Sequence, residues 1–260
     1  MIRTFRLYRL EKTERLTLAK AEQKLNTVRL ASLAATAPRP LSRLLSDLSQ
    51  RLTGERISGP KSRPGHWEMV LSGKWPARAI TVSAGPPPKV AINVSIWLRR
   101  TSAWLVVFEA NRALSDASAY LVAAALAGDT SRVLPMLLHE GHWKAIDGWL
   151  GKGSSEDGAL LGGRFYKARP AGTDVEWIAL RCTAGSHNTL LEESFQTAAG
   201  IGELLIQTPY LRPIDGSIIC RIGRTGNIRV YGGEVSDGAV SALIFELEAL
   251  WENVPPMVNR

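Results

Sequence analysis

The sequence predicts an α+β protein in which an N-terminal helical arm, rich in positive charge, is followed by a duplicated antiparallel sheet-plus-helix body with pseudo-twofold order. Helix formers and cations dominate residues 1–63, and short apolar runs typical of strands follow. One pattern of strand, turn, strand and helix occurs twice. We therefore divide the chain into residues 1–63, the basic arm and linker, and two β-hairpin/helix halves at 64–150 and 151–260.

The repeated pattern occupies residues 92–127 and 216–250. Each copy contains an Arg-Thr turn between two strands and a Ser-Asp pair before a helix. The matching pairs are Arg100-Thr101 with Arg224-Thr225, and Ser115-Asp116 with Ser236-Asp237. Because Ser or Asp before a helix satisfies its unpaired backbone amides, both Ser-Asp pairs are predicted N-caps. The repetition predicts that the two segments superpose.

In chain order, residues 3–37 favour one long helix, since no Gly or Pro interrupts them, and Pro38 ends it. Leucines on one side predict a second helix over 41–52. Residues 54–65, with their Gly, Pro, Ser, Lys and Arg, are typical of a linker. Strands are predicted at 67–71, 79–82, 90–98, 104–109, 164–168, 175–181, 204–207, 216–222 and 228–231, and further helices after Asp116, at 134–139, 143–150 and 238–251.

Positive charge is concentrated at the N-terminus. The chain carries +8 overall; residues 1–63 hold 14 Lys and Arg against 5 Asp and Glu, and the remainder sums to −1. Cations clustered on one segment are typical of proteins that contact phosphates. The residues predicted to bind nucleic acid are Arg3, Arg6, Arg9, Lys12, Arg15, Lys20, Lys24, Arg29, Arg100 and Arg224.

No residue pattern predicts catalysis, a cofactor or a metal. His139 and His142 lack a third ligand and flank Gly141, which favours a helix end over a zinc site. The stretch 151–154 (Gly-Lys-Gly-Ser) lacks the earlier glycine of a phosphate-binding loop. Since no nucleophile, base and orienting group can be assigned together, the sequence favours a binding protein over an enzyme.

Tryptophan and cysteine have mainly structural interpretations. Most of the eight Trp lie on predicted strands or helices, which favours packing, and base stacking at Trp97 and Trp104 is the alternative. Cys182 and Cys220 are expected to be reduced core residues, and whether they pair is left open.

The first ten residues bear on location. They contain three Arg and no acid, a composition shared with organellar presequences, but no apolar run follows that would make a secretory signal. No stretch approaches the roughly 18 apolar residues of a membrane-spanning helix. A cytoplasmic location away from membranes is the prediction, with organellar targeting as the alternative.

Two architectures resemble this one. The duplicated sheet-plus-helix body is similar to the Whirly and PUR single-strand binders. The order in residues 216–255 (hairpin, Gly-Gly, Ser-Asp, helix, Leu-rich end before Pro) resembles ESX-type secretion chaperones. Both resemblances concern the fold, which does not determine function.

Two functions remain as hypotheses. The first is a non-enzymatic nucleic-acid-associated protein whose basic arm contacts phosphates and whose body offers a sheet surface. The second is an adaptor or chaperone, of secretion or assembly type, whose positive charge meets an acidic protein surface. In either case the N-terminal helices offer a route to an oligomer or a larger complex.

Overall fold

The computed structural model describes residues 2–10, 17–77, 87–99, 102–128, 133–138, 142, 145, 159–166, 177–181, 201–207, 219–223, 225–231 and 236–253. For residues 159–207 the description covers the backbone of three strands only. Helices and antiparallel strands both occur, in agreement with the predicted α+β class. None of the helices within these ranges is long and apolar enough to cross a membrane.

The chain forms two compact units, one of Phe5–Met136 and one of Met1–Thr4 with Leu137–Arg260. The first unit contains most of β1 (Ile2–Leu10), then α1 (Leu18–Thr27), α2 (Leu30–Thr36), α3 (Arg39–Arg51), β2 (Thr53–Arg63), β3 (His66–Pro76), β4 (Lys89–Arg99), β5 (Trp104–Phe108), α4 (Arg112–Ala127) and β6 (Val133–Pro135). The second contains β7 (Ala159–Tyr166), β8 (Trp177–Arg181), β9 (Ile201–Gln207), β10 (Ile219–Gly223), β11 (Asn227–Tyr231) and α5 (Asp237–Glu252).

In the first unit the strand order is β2-β3-β4-β5-β1, all antiparallel, and β6 pairs with the end of β1. Since side chains alternate across a strand, the sheet has two faces. Residues such as Met69, Ile96 and Leu105 form one buried core with apolar side chains of α1–α4. We call this side the helix-covered face and the opposite side the outer face.

In the second unit the strand order is β11-β10-β9-β7-β8, again antiparallel. Helix α5 buries Val240, Leu243 and Leu247, the apolar side of the helix predicted over 238–251. Ser236 is its N-cap, and the hydroxyl accepts a hydrogen bond from the Ala239 amide at 3.1 Å. The prediction that Ser236-Asp237 caps this helix is therefore confirmed.

The predicted long helix over residues 3–37 is wrong at its start, because residues 2–10 form β1. Phe5, Leu7, Tyr8 and Leu10 are all buried, so the strand is enclosed on both faces. A run with apolar residues on both sides of a strand lacks strict alternation, and without Gly or Pro it resembles a helix in sequence. Aromatic and β-branched residues at Ile2, Thr4, Phe5 and Tyr8 carried the strand signal.

The rest of that predicted helix is divided in two. Helix α1 ends at Thr27, Val28 and Arg29 are extended, and α2 begins at Leu30. The Arg29 guanidinium donates to the carbonyls of Asn26 and Val28 at 2.8 and 2.7 Å, and Glu55 accepts from the Leu30 amide at 3.1 Å. These side chains satisfy the backbone groups exposed by the break.

The predicted linker at 54–65 is also wrong, since it is most of strand β2. This strand pairs along β3 from Thr53↔Lys74 to Arg63↔His66, with two irregularities in register. Gly59 lies at the second irregularity with φ +101°, and a Cβ there would approach the Glu68 carbonyl oxygen at 2.8 Å. Gly and Pro usually indicate a loop, but in β2 they lie in a bulged edge strand.

Each repeated segment contains a hairpin and a helix, in β4–β5–α4 and β10–β11–α5. Their helix starts differ, however. Helix α4 is capped by Asn111, whose side chain accepts from the Leu114 amide at 3.2 Å, so the predicted cap at Ser115-Asp116 is wrong. The superposition of the two segments stays a prediction, and Arg100, Thr101 and Arg224 lie outside the described residues.

Among the other predicted elements, Gly128 does end α4, in the left-handed conformation. The helix predicted over 134–139 is wrong at its start, because Val133–Pro135 is strand β6. The predicted strand at 79–82 and the predicted boundary loop at 151–158 lie outside the described residues.

We expect Gly59→Ala to lower the free energy of unfolding by about 3 kcal/mol, from backbone strain and from the close approach to the Glu68 carbonyl. Gly54→Ala is the matched control: φ is +63° there, but nothing lies within 4 Å of the added carbon. We expect about 1–2 kcal/mol for Gly54→Ala. Denaturant unfolding measures both values. Equal effects would show that residues 58–61 do not form the bulge described.

Candidate nucleic-acid interface

The outer face of β2, β3 and β4 is exposed and basic. By cross-strand register it presents Arg56 and Ser58 from β2, His66, Val70 and Ser72 from β3, and Asn93 and Ser95 from β4, together with the charged residues below. Its five cations are Arg56, Lys61, Arg63, Lys74 and Arg99, and we call this surface of β2–β4 the basic face. Arg56, Lys61, Arg63 and Lys74 are exposed, and Arg99 is half-buried.

Cross-strand pairing places the cations at defined positions. Arg63 and Arg99 lie on either side of His66 in one row across the three strands. Lys61 lies opposite Glu68, and Arg56 lies opposite Ser72. From His66 to Lys74 the face extends about 27 Å along β3, at about 3.4 Å per residue.

Glu68 is the only acidic side chain among the described residues of this face. Its carboxylate accepts a hydrogen bond from Arg63 Nε at 2.8 Å, with side-chain exposures of 54% for Arg63 and 28% for Glu68. Arg56, Lys61 and Lys74 make no side-chain hydrogen bond or ion pair with any described residue. Three cations of the basic face are thus available to an external anion.

An aromatic row crosses the outer face from β1 to β3. Phe5 and Phe108 have ring centroids 5.7 Å apart, and Phe108 meets Trp97 edge-on at 4.5 Å. Trp97 in turn stacks on His66 at 4.4 Å with 29° between the ring planes. Phe5 and Trp97 are buried, and His66 is the member that lies within the basic face.

His66 is held mainly in the neutral form. Partial burial lowers the pKa of its imidazole, and the nearby Arg99 and Arg63 charges act in the same direction. A hydrogen bond with the Pro64 backbone and the Glu68 carboxylate oppose that shift. At neutral pH the ring therefore adds an aromatic surface between two guanidinium groups and little positive charge.

The structure does not assemble the predicted β1 arginines into a phosphate-binding arm. Arg3 forms an ion pair with Asp237 in the first turn of α5. Arg6 is only 9% exposed, on the helix-covered face beside Tyr8, and Arg9 is exposed. The expectation that Arg3, Arg6 and Arg9 project from a helix is wrong, because alternate residues of a strand point to opposite faces.

The other predicted contacts are scattered. Lys20 and Lys24 lie on α1, and Arg29 lies between α1 and α2, where it binds backbone carbonyls. All three belong to the helical layer that covers the other face of the sheet. Lys12, Arg15, Arg100 and Arg224 lie outside the described residues.

The sequence does not predict the basic face, because three of its cations fall in the segment expected to be a linker. Arg56, Lys61 and Arg63 were counted in the positive N-terminal segment but were placed in a linker. The available signal was the spacing of Lys61, Arg63 and Glu68 around the Pro64-Gly65 turn, which puts the three side chains on one face of a hairpin.

The described tryptophans are mostly core residues. Trp67, Trp75, Trp97, Trp104 and Trp251 are all buried, which confirms the packing interpretation for them. Direct base stacking on Trp97 or Trp104 is wrong, since a base needs an exposed ring face. His66, which the sequence analysis did not propose for stacking, is half-buried and continues the aromatic row from Trp97.

The sequence analysis favoured a helix end over a metal site at His139 and His142, and it left the pairing of Cys182 and Cys220 open. His142 is buried with its ring 5.4 Å from that of Trp251, and His139 lies outside the described residues. Within the described ranges, no group of three or more His, Cys, Asp and Glu side chains is placed to hold a metal ion. Cys220 is a buried free thiol whose pKa is raised by burial.

A second polar cluster lies between β1 and α4. The Tyr8 hydroxyl is 2.8 Å from Asp116 Oδ1 and 2.9 Å from Ser115 Oγ. With one proton, it donates to the carboxylate and accepts from the serine. Burial raises the pKa of both Tyr8 and Asp116, and the Tyr8 hydrogen bond, Arg112 and Arg6 partly offset the shift at Asp116. This cluster joins the strand to the helix.

No protein-family model matches the chain, and no curated protein matches it either.

We expect Asp116→Asn to become more stable relative to the wild type as pH rises from about 3 to neutrality. Because the folded-state pKa of Asp116 is raised, ionisation opposes folding once the pH passes the unfolded value, about 3.9. The amide oxygen still accepts from Tyr8 and cannot ionise. Denaturant unfolding at several pH values measures the difference.

Asp47→Asn is the control for that experiment, because Asp47 is an exposed helical carboxylate 3.7 Å from Arg51. It reports the effect of a carboxyl-to-amide change away from the cluster. A difference between Asp116→Asn and the wild type that is the same at every pH would contradict the assigned environment of Asp116.

Proposed function

We propose that this protein binds nucleic acid without catalysis, through the basic face of strands β2–β4. The observation that carries the proposal is that Arg56, Lys61 and Lys74 stand exposed on one sheet face without described anionic partners. Phosphate contacts by Lys and Arg supply most of the sequence-independent affinity for nucleic acids. In this proposal the sheet makes the phosphate contacts that the sequence analysis expected of the N-terminal arm.

Three features support this face over the helical layer. Cations on the sheet come from adjacent strands at fixed register, whereas those of α1–α3 lie on helices that also carry Glu22 and Asp47. The sheet face has one carboxylate among the described residues, and Arg63 already occupies it. Positive charges aligned on a rigid sheet can engage several phosphates at once, because the backbone positions are fixed and only the side chains have to be ordered on binding.

We expect the triple variant Arg56→Gln/Lys61→Gln/Lys74→Gln to bind nucleic acid more weakly and with less dependence on salt. Each lost phosphate contact reduces the slope of log affinity against log salt by about 0.7–0.9, so the slope should fall by roughly 2–3. Fluorescence anisotropy with a labelled oligonucleotide across a salt series measures both quantities.

A charge-matched control is Lys20→Gln/Arg39→Gln/Arg43→Gln, whose three positions are exposed in the helical layer. We expect its affinity and slope to stay near the wild-type values. Equal losses in the two triple variants would move the binding surface away from β2–β4. If the wild type shows no salt-sensitive binding at low ionic strength, the nucleic-acid proposal fails in favour of an adaptor for an acidic protein.

Truncation of residues 1–63 is not a suitable test, because it removes β1, α1–α3 and β2 from the first unit. Charge reversal at Arg6 is equally unsuitable, since that side chain is buried. Both changes would report folding and leave the charge contribution unmeasured.

A substitution of opposite sign tests the same surface. We expect Glu68→Gln to raise affinity for nucleic acid by about 1.5- to 5-fold, equivalent to the 0.2–1 kcal/mol of an exposed charge interaction. The amide keeps an acceptor for Arg63 and removes the one carboxylate described on the face. Glu22→Gln, an exposed position on α1, is the control. A Glu68→Gln variant that binds less tightly would show that Arg63 must be held by the carboxylate.

A further inference from the structure

The shape of the basic face restricts the nucleic acids it can accept. A free two-stranded ribbon fits the major groove of B-DNA, which is about 12 Å wide. The β2–β3 hairpin is not free, because β4 pairs along the whole of β3, from His66↔Arg99 to Pro76↔Lys89. Helices cover its other side. The sheet therefore meets a nucleic acid as a broad surface.

The row Arg63–His66–Arg99 combines the groups that a single nucleotide requires. An aromatic ring offers a stacking surface for a base, and guanidinium groups on the neighbouring strands offer hydrogen bonds to phosphate. Adjacent strands are about 4.8 Å apart, so both cations lie within a side-chain length of the ring. No other aromatic side chain of the described basic face is flanked in this way.

The aromatic row supports His66 from behind. Trp97 stacks on one side of the imidazole and is itself held edge-on by Phe108. A platform whose orientation is fixed by packing loses little conformational entropy when a base stacks on it. The neutral ring state described above suits stacking better than phosphate binding.

We propose that the basic face takes single-stranded nucleic acid, with one unpaired base stacked on His66 and the flanking phosphates bound by Arg99 and by the terminal N–H groups of Arg63, whose Nε donates to Glu68. This inference rests on the proposed function and adds the strandedness of the ligand and the role of one residue. A duplex offers its phosphates to the same cations but keeps its bases stacked on one another, so it cannot use His66.

The test compares three labelled probes at one salt concentration: oligothymidylate, an abasic oligodeoxyribose phosphate of equal length, and a mixed-sequence duplex. We expect the wild type to prefer oligothymidylate over the abasic probe by about 5- to 150-fold, the range for one base stacked on an aromatic side chain. His66→Ala should remove this preference, and His66→Phe should keep it. Thermal unfolding of both variants checks that the aromatic row is intact.

The outcomes separate the inference from the function on which it rests. If His66→Ala keeps the wild-type preference while Arg56→Gln/Lys61→Gln/Lys74→Gln loses affinity for every probe, the stacking role is refuted and nucleic-acid binding stands. Loss of the preference in His66→Phe as well as in His66→Ala would refute stacking in favour of a titrating imidazole. Equal wild-type affinity for duplex and oligothymidylate refutes the single-strand preference, and binding to none of the probes refutes the proposed function itself.

Discussion

The hydrogen bonds of the Tyr8 hydroxyl fix which side chains of β1 face the helices, and much of the first unit depends on this orientation. A polar group buried between a strand and a helix is costly unless it is hydrogen-bonded, and Tyr8 finds both partners on α4. This requirement orients Tyr8 toward the helices. A slip of one residue in β1 would turn it to the outer face and leave the hydroxyl without Asp116 and Ser115. The same register places Phe5 on the outer face, where it begins the aromatic row that ends at His66.

The two faces of the sheet in the first unit differ in composition. The helix-covered face is filled by apolar side chains, and its described charges include Asp116 and Arg6, whose opposite signs partly compensate burial. The outer face is apolar at β1 and β5, where Leu7 and Val106 are buried, and basic at β2–β4. Aromatic contacts connect the two regions across the strands. Packing thus extends to the edge of the charged surface and gives it a rigid base.

Strong local signals made parts of the fold predictable from sequence. The Ser236 cap and the apolar side of α5 are examples, because capping and helical periodicity act over a few residues. Strand β1 was not predictable in this way, since its burial comes from β5, about a hundred residues later in the chain. Strand β2 was missed because Gly59 and Pro60, usual loop residues, here occupy a bulged edge strand. The candidate site was not predicted for the same reason. The charge count included Arg56, Lys61 and Arg63, but the pairing of β2, β3 and β4 is what brings them to the same face as Lys74 and Arg99.

The pairing of β1 with β5 also matters while the chain is being synthesised. Arg6 pairs with Val107, so β1 can enter the sheet only after residue 107 has emerged from the ribosome. At synthesis rates of about 5–20 residues per second, that interval lasts several seconds. During it, Phe5, Leu7 and Tyr8 have no native partner strand, and the arginines at positions 3, 6 and 9, which flank and separate them, are charged residues of the kind that oppose aggregation of an apolar strand.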